Sequence, residues 1–210
     1  MGSLHLTLAS ASPRRRELVA RLGLEPHAVT PADIDETPLT GELPRAYALR
    51  MGREKALAVS GAVSGAVSGA VSGAVSGAVG ASGHVLAGDT VVAVGRRILP
   101  KTETEAEARA CLELISGRRH QVLSSVVLRA PDGSLRERLS ETVVHFKRLS
   151  TEEIDAYLAG GEWHGKAGGY AIQGAAEGLI EWIRGSHSGV MGLPLHETRA
   201  LLKAAGFPIG

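Results

Sequence analysis

The amino-acid sequence predicts an α/β fold built on a mixed, twisted sheet flanked by helices. Stretches typical of strands interleave with stretches typical of helices, which favours a sheet covered by helices. A segment around Pro131-Asp132-Gly133 has the composition of a β-hairpin turn, and hairpins require antiparallel strands. The chain has 210 residues, of which 44% are hydrophobic, and this is enough to bury a core.

The N-terminal elements follow from alternation and capping signals. Residues 5–9 alternate between apolar and polar positions, which predicts a strand. Ser12 is expected to cap a helix that starts at Pro13 and runs to the residue before Gly23. A turn-rich acidic loop comes next, and residues 44–59 form a second predicted helix.

A perfect repeat follows the second helix. Residues 60–79 are five copies of Ser-Gly-Ala-Val, a period too short for a solenoid unit. In a helix, each glycine would cost about 1 kcal/mol against alanine. We expect a low-complexity insertion over residues 60–83, as a surface loop or an imperfect extension of the second helix, rather than a ligand-binding element. The whole of residues 1–210 is otherwise expected to form a single domain.

The segment HVLAGDTVVAVGRRIL predicts a buried central strand that only Asp89 interrupts, with a hairpin turn at Gly95. Thr102 and Glu105 have the spacing of a capping box for a helix that ends near Ile115. The remaining predicted elements are the long hairpin, a helix capped by Ser150 and Glu153, a strand over residues 179–185, and a last helix over residues 194–205.

Composition argues against several classes of function. The 23 basic and 22 acidic residues give a net charge of +1, and aromatic residues make up 3%, so a nucleic-acid polymer is not an expected partner. The single cysteine, Cys111, allows no internal disulfide, which fits a reducing compartment. We find no secretory signal and no apolar run of about 18 residues, so no membrane span is expected.

The segment SASPRRREL places a helix N-terminus directly after a strand, where free N–H groups and the helix dipole favour an anion. Ser10 and Ser12 add hydroxyl donors, and Arg14 and Arg15 add forked donors that suit phosphate oxygens. The alternative is a solvated basic helix start, but cations oppose the dipole at this end. The pattern therefore favours a phosphate site, whereas Arg16 is expected to face water.

Carboxylates at two positions are candidates for metal or acid–base chemistry. Asp89 in a buried strand is a candidate general base or metal ligand, or else an aspartate satisfied by backbone amides. Glu36 lies in an acidic loop that is solvated surface by default, and a magnesium role requires phosphates nearby. Lys55 and Lys101 are single lysines, which in isolation are typical of surface positions.

The glycine-rich segment KAGGYAIQG, residues 166–174, is not a Walker loop. Its glycines permit close backbone approach to a ligand, and Gln173 offers a donor and an acceptor that could read a base edge. A plain glycine turn is the alternative. The histidines show no zinc spacing, and no serine or cysteine nucleophile motif is present.

Together, these segments resemble the Maf family of nucleotide pyrophosphatases. The resemblance covers nearly the whole chain apart from the repeat insertion, and the order and spacing of the motifs make it specific. It rests on the segments SASPRRREL, DIDE, REKA, GDTVV, SGRRHQV, KAGGYAIQG and GLPLHET.

The resemblance implies a cytoplasmic enzyme that hydrolyses nucleoside triphosphates between the α and β phosphates, releasing a nucleoside monophosphate and pyrophosphate. It implies a divalent metal cation, Mg²⁺ or Mn²⁺, and a homodimer as an assembly that family members often form. The expected fold has two lobes around a nucleotide cleft, similar to the inosine triphosphate pyrophosphatases. One branch of the family prefers dTTP and UTP, and another prefers 7-methyl-GTP.

The family's residues match positions of this chain. Arg14, Thr90 and Gln173 match the selector positions of the dTTP/UTP branch, with modified pyrimidine nucleotides as further candidate substrates. The catalytic base matches Asp89, and the metal is expected at Glu36 and Asp89. The residues expected to bind substrate are Ser10, Ser12, Arg14, Arg15, Lys55, Thr90, Lys101 and Gln173.

One motif departs from the family, since Pro100-Lys101-Thr102 stands where Gly-Lys-Pro is usual. The lysine is retained, but the loop around it is expected to differ. Two other functions stay open from the sequence. One is a nucleotide-binding regulator of septum formation with little catalysis, and the other is a 7-methyl-GTP pyrophosphatase, which the three selector positions disfavour.

Overall fold

The computed structural model describes residues 4–65 and 83–209. Its helices are α1 (Pro13–Ala20), α2 (Pro44–Gly65), α3 (Glu105–Ile115), α4 (Thr151–Ala159), α5 (His187–Met191) and α6 (Leu195–Ala204), with a 3₁₀ helix at Ala175–Leu179. Its strands are β1 (Leu6–Leu8), β2 (Ala28–Val29), β3 (His84–Val94), β4 (Arg97–Leu99), β5 (Lys101–Thr102), β6 (Arg119–Arg129), β7 (Leu135–Phe146), β8 (Lys166–Ala167) and β9 (Ile180–Arg184).

The main sheet is mixed, which confirms the predicted fold class. Its strand order is β2-β1-β3-β6-β7-β9, and β4, which is not part of this order, also pairs with β3. Strand β1 runs parallel to β2 and β3. The pairs β3–β6, β6–β7 and β7–β9 are all antiparallel. The hairpin predicted around Pro131-Asp132-Gly133 joins β6 to β7, and Gly95 turns the β3–β4 hairpin with a positive φ of 59°.

Strand β3 has an open stretch on one side. Residues 84–86 pair with β1, and residues 92–94 pair with β4. Between these two pairings, Asp89 and Thr90 have β6 on one side and neither β1 nor β4 on the other. Side chains of consecutive strand residues point to opposite faces, so this gap gives one opening access to both faces of β3.

Helices cover both faces of the sheet. Helix α2 packs on one face, where Met51 and Ala56 bury against residues of β3 and β6. The larger core lies on the other face, where α1, α3 and α6 contribute Leu18, Leu112 and Leu202. None of the helices in the described part of the chain is long and apolar enough to cross a membrane.

A second, two-stranded sheet pairs β5 with β8 and carries the wall that faces the open stretch of β3. Thr102 of β5 is fully buried, and its hydroxyl donates to the carbonyl oxygens of Trp163 at 2.8 Å and Lys166 at 3.3 Å. These bonds fix β8 and the glycine-rich segment that follows it.

Several predicted details are wrong. The capping box of α3 is formed by Thr104 and Glu107, not by Thr102 and Glu105, because Thr102 is committed to the β5–β8 sheet. Helix α1 ends at Ala20, and Ser12 precedes it without a side-chain capping bond. The capping box of Ser150 and Glu153 on α4 is confirmed. Neither α5 nor the 3₁₀ helix was expected from the sequence.

Helix α2 is longer than predicted. It reaches Gly65 rather than ending near residue 59, so the first part of the Ser-Gly-Ala-Val repeat continues the helix. The rest of the predicted insertion, residues 66–82, lies outside the described residues.

The packing of β3 on β6 predicts a strong effect at Gly88. A Cβ added there would lie 2.5 Å from the backbone oxygen of Ser125, and backbone cannot yield as a flexible side chain can. We expect Gly88→Ala to lower the free energy of unfolding by about 1–3 kcal/mol or more, measured by urea denaturation. In Gly178→Ala the added Cβ meets nothing within 4 Å, so this control should stay near the wild-type value. Equal stability of the two variants would contradict the packing argument.

Candidate active site

A cleft of about 610 Å³ lies between the open stretch of β3 and the β8 wall. Its lining joins the start of α1, the loop before α2, one turn of α2, and the segment that follows β8. The structure brings every sequence-predicted site residue to this lining: Ser10, Ser12, Arg14, Arg15, Glu36, Lys55, Asp89, Thr90, Lys101 and Gln173.

The loop between β1 and α1 holds Arg15 in place. Its Nε donates to the carbonyl oxygen of Gly192 at 2.9 Å, and its Nη1 donates to Ser10 Oγ at 3.2 Å. The amide of Ser12 also donates to Ser10 Oγ, at 3.2 Å. Burial lowers the pKa of Arg15, and the nearby Asp89 and Glu36 carboxylates act against this shift. The guanidinium is therefore oriented before any ligand binds.

Arg16 has no part in the cleft. Its guanidinium pairs with Glu25 Oε1 at 2.5 Å on the exposed side of α1. The sequence expectation that Arg16 faces water is confirmed, and Glu25 supplies the negative charge that compensates it.

Charged groups of alternating sign cross the cleft floor. Lys55 Nζ lies 2.7 Å from Asp89 Oδ1 and 2.9 Å from Glu36 Oε1, and Lys101 Nζ lies 2.5 Å from Glu36 Oε2. Lys55 and Asp89 are 6% and 4% exposed, so this pair is screened little by water. The surface placement that Lys55 would have by default is therefore wrong.

The lysines fix the charge of Glu36. Burial alone would raise the pKa of its carboxyl, but hydrogen bonds from Lys101 and Lys55 outweigh burial and lower the pKa to about 2. Burial, followed by the charges of the Asp89 and Glu36 carboxylates, raises the pKa of Tyr47 to about 12. The Tyr47 hydroxyl donates to the backbone oxygen of Glu36 at 2.6 Å. Glu36 is thus anionic at neutral pH and tethered through its backbone.

Ser125 supports Asp89 from the neighbouring strand. The Asp89 amide donates to Ser125 Oγ at 3.1 Å, and Ser125 is fully buried. The alternative that backbone amides satisfy the Asp89 carboxylate is wrong as the main explanation, because Lys55 pairs with that carboxylate.

The other face of β3 is tied to the segment after α5. Thr90 Oγ1 donates to the Gly192 carbonyl oxygen at 3.3 Å, the same oxygen that Arg15 contacts. On β6, Ser124 Oγ donates to the Gly189 carbonyl oxygen at 2.6 Å. Gly192 has a φ of 133°, in the region that favours glycine. One backbone carbonyl thus sets the positions of two predicted substrate contacts.

Gln173 is an exposed residue of the cleft lining, two residues after a buried anchor. The amide of Ala171 donates to the Tyr157 hydroxyl at 3.1 Å, and Tyr170 Oη lies 2.8 Å from His120 Nε2. These bonds attach the glycine-rich segment, in which Gln173 lies, to the core.

The segment Pro100-Lys101-Thr102, which differs from the family's usual Gly-Lys-Pro, leads into and forms strand β5 of the two-stranded sheet. The carbonyl oxygen of Pro100 accepts from the Gly168 amide at 2.9 Å, while Thr102 contributes the buried hydroxyl bonds described above. Lys101 keeps its side chain on Glu36.

Glu36 and Asp89 are the carboxylates that could hold a divalent cation, since both contact one ammonium group. Within residues 4–65 and 83–209, no group of three or more histidine, cysteine, aspartate or glutamate side chains forms a metal site. Mg²⁺ commonly takes one or two carboxylates together with substrate phosphates, and two carboxylates fit that requirement.

Sequence analysis missed Lys166 and Gly192 as parts of the cleft. Lys166 opens the quoted segment KAGGYAIQG, so a residue type suited to phosphate was visible there. Gly192 opens GLPLHET, but its contribution is a backbone carbonyl, which no side-chain pattern reveals.

The chain is similar to several known proteins. A family model described as "Maf-like protein" matches residues 5–205. A "dTTP/UTP pyrophosphatase" of Novosphingobium aromaticivorans is 59% identical over 97% of this chain and 93% of that protein. A protein of the same name from Rhodospirillum rubrum is 54% identical over 98% and 90%. Among solved structures, a HAM1 protein from Coxiella burnetii has a TM-score of 0.47 and 16% identity, over 96% of this chain and 100% of that one.

The buried pair of His120 and Tyr170 generates a pH prediction. Burial, followed by the nearby His145, lowers the pKa of His120 to about 4, whereas an unfolded histidine titrates near 6.5. Because the unfolded chain binds this proton first, the free energy of unfolding should fall as pH drops from about 6.5 to 4, by up to about 1.4 kcal/mol per pH unit. We expect His120→Gln to flatten this dependence, measured by denaturation at several pH values.

The matched control is His196→Gln, at an exposed position of α6, which should keep the wild-type slope. The assignment would be wrong if His120→Gln and wild type lost stability in parallel over this range.

Proposed function

The chain belongs to the Maf family, and from this premise we propose that it hydrolyses dTTP and UTP to the nucleoside monophosphate and pyrophosphate. The observation that carries the proposal is the cleft, in which cations of the predicted set outnumber carboxylates by two. The relatives named dTTP/UTP pyrophosphatase support the substrate, since they match this chain over nearly its full length. Modified pyrimidine nucleotides are candidate substrates of the same kind.

The cations suit a triphosphate. Arg15 is oriented by Gly192 and Ser10, so its remaining N–H groups can meet phosphate oxygens without a large loss of side-chain entropy. Lys55 and Lys101 are held by carboxylates in the same cleft. We assign these residues, with Arg14 and the hydroxyls of Ser10 and Ser12, to the binding of the phosphate chain.

Asp89 is the proposed general base. Lys55 holds its Oδ1, whereas Oδ2 has no hydrogen-bond partner in the described part of the chain. A water molecule that attacks the α-phosphorus can pass its proton to that free oxygen. Lys55 keeps the carboxylate in place, and its positive charge stabilises the negative charge that develops on phosphate oxygens.

A divalent cation, Mg²⁺ or Mn²⁺, fits at Glu36 and Asp89 and would neutralise charge on the phosphate oxygens when bound. Glu36 is suited to this task because two lysines keep its carboxyl ionised far below neutral pH. Asp89 cannot be a fully engaged ligand and a strong base at once, so we assign Glu36 as the principal ligand.

Thr90 and Gln173 are the proposed contacts to the base. Thr90 presents a hydroxyl fixed by Gly192, and Gln173 presents an amide at the exposed rim of the cleft. Uracil and thymine share a pattern of two carbonyl acceptors around one N–H donor, which an amide can match. We further propose that the protein acts on free nucleotides in the cytoplasm. That the chain forms a single domain, and that it assembles as a homodimer, both stay predictions.

The experiment that tests this function is a substrate panel. The protein is incubated with dTTP, UTP, CTP and 7-methyl-GTP in Mg²⁺ or Mn²⁺, and pyrophosphate release is measured. We expect rapid release from dTTP and UTP, slower release from the other two, and loss of activity with a chelator. Binding without release would support the regulator instead, and preference for 7-methyl-GTP would support the other branch.

Asp89→Asn should reduce kcat for dTTP by about 10²–10⁴-fold, because the amide cannot accept the proton from water. The amide oxygen can still accept from Lys55, and Lys55 keeps its pair with Glu36, so we expect the variant to fold and to bind dTTP, with a lower urea midpoint because a buried ion pair has lost one charge. Asp35→Asn is the matched control: Asp35 is exposed, lies outside the cleft lining and bonds the Thr37 amide locally. Near-normal turnover by folded Asp89→Asn would exclude the general-base role.

A further inference from the structure

Three cations of the cleft have no carboxylate oxygen within 4 Å in the described part of the chain, and of these only Arg15 has the charges of Asp89 and Glu36 acting on it. Lys55 and Lys101 pair with Glu36 or Asp89, and Arg15 is bonded to Gly192 and Ser10. In the described part of the chain, neither Arg14 nor Lys166 has a carboxylate oxygen within 4 Å, although both line the cleft. Arg14 and Lys166 are therefore the two lining cations that neither a contacting carboxylate nor the charges of Asp89 and Glu36 compensate.

Lys166 is placed by a rigid element rather than by a loose loop. It pairs with Thr102 across the β5–β8 sheet, and its carbonyl oxygen accepts from the buried Thr102 hydroxyl at 3.3 Å. Its ammonium donates to the carbonyl oxygen of His164 at 2.8 Å, which uses one of three N–H groups. The other two have no partner among the described residues, and they are available to an anion.

The charge of Arg14 acts on Lys166, which also lines the cleft. Burial lowers the pKa of Lys166 and the charge of Arg14 lowers it further, against the smaller opposing effect of the Glu162 charge, while burial also lowers the pKa of Arg14. Both shifts mean that the surroundings of these two groups disfavour their charged forms. An anion between them would remove the repulsion, whereas a neutral carbonyl oxygen of a base would not.

We propose that Arg14 and Lys166 form an anion subsite for the terminal phosphates of the substrate, with Lys166 as a further substrate-binding residue. The α-phosphate then lies toward Asp89, and the β and γ phosphates lie between the two uncompensated cations. When the α–β bond breaks, the leaving oxygen takes its electron pair, and the negative charge of the pyrophosphate rises where Arg14 and Lys166 can stabilise it. This orientation rests on the proposed pyrophosphatase function, so the test uses binding as well as turnover.

The test compares Lys166→Met with wild type by calorimetry, with inorganic pyrophosphate and with UMP as separate probes. We expect the Kd for pyrophosphate to rise about tenfold or more, as for loss of a charge-assisted hydrogen bond, and the Kd for UMP to stay within about twofold. Lys166→Arg keeps the charge and should restore most of the pyrophosphate affinity. In turnover assays, Lys166→Met should weaken kcat/KM for dTTP and UTP by the same factor.

Lys203→Met is the matched control, since it removes the same charge from the exposed last turn of α6 and should leave both Kd values unchanged. A second cycle with Arg14→Met should show that the two losses are not additive, because both cations contact one anion. If Lys166→Met fails to fold, Lys166→Gln and the salt dependence of pyrophosphate binding give the same comparison.

Unchanged pyrophosphate affinity in folded Lys166→Met would overturn the subsite, as would a loss confined to UMP or to one of the two triphosphates. The outcomes also separate the two proposals. Pyrophosphate binding that depends on Lys166, in a protein without dTTP or UTP hydrolysis, would retain the subsite and reject the proposed function. Hydrolysis of both nucleotides by a protein whose pyrophosphate binding does not depend on Lys166 would retain the proposed function and reject the subsite.

Discussion

The ion pair between Lys55 and Asp89 is the interaction on which the arrangement of this cleft depends. A carboxylate inside a sheet is stable only when a cation and hydrogen-bond donors reach it, because a buried unpaired charge is very unfavourable. Helix α2 must therefore lie close enough to β3 for Lys55 to reach Asp89 at 2.7 Å. Glycine permits this approach, since a Cβ on Gly52 would lie 2.6 Å from Ser125 Oγ. The position of a whole helix is thus matched to one carboxylate.

The open stretch of β3 explains how residues on two faces of a sheet serve one site. Asp89 and Thr90 are neighbours, so their side chains point to opposite faces, and a continuous sheet would separate them. Here β1 stops at Leu8 and β4 begins pairing only at Val92, so a ligand entering the gap meets both. The start of α1 fills part of that gap with Ser10 and Arg15. The parallel placement of β1 beside β3 therefore brings a helix N-terminus to the open stretch of β3, as in other α/β proteins that bind phosphate at a strand end.

Sequence analysis predicted correctly those features of the fold that neighbouring residues in the chain determine. The buried strand with its single carboxylate, the hairpins and the helix start at Pro13 are all governed by neighbouring residues. The same reasoning failed where distant residues compete. Thr102 and Thr104 both begin a capping-box pattern, and only the pairing of β5 with β8, more than 60 residues away along the chain, removes Thr102 from that role. The role of Lys166 as part of the cleft wall was missed for the same reason, since β8 is two residues long and its position depends on that pairing.

The charge distribution gives the cleft a direction. On the Asp89 side, each lysine is neutralised by a carboxylate, so these lysines stay ordered without a ligand and add little net attraction for an anion. No carboxylate oxygen lies within 4 Å of Arg14 or Lys166 in the described part of the chain, so attraction for an anion is concentrated at these two residues. A chain of phosphates with most of its charge at one end would bind with that end toward Arg14 and Lys166. The less charged end, which carries the nucleoside, then lies nearer to Asp89 and Glu36. The difference between lysines that carboxylates contact and the cations Arg14 and Lys166, which none contacts, would therefore orient the substrate before any base-specific contact forms.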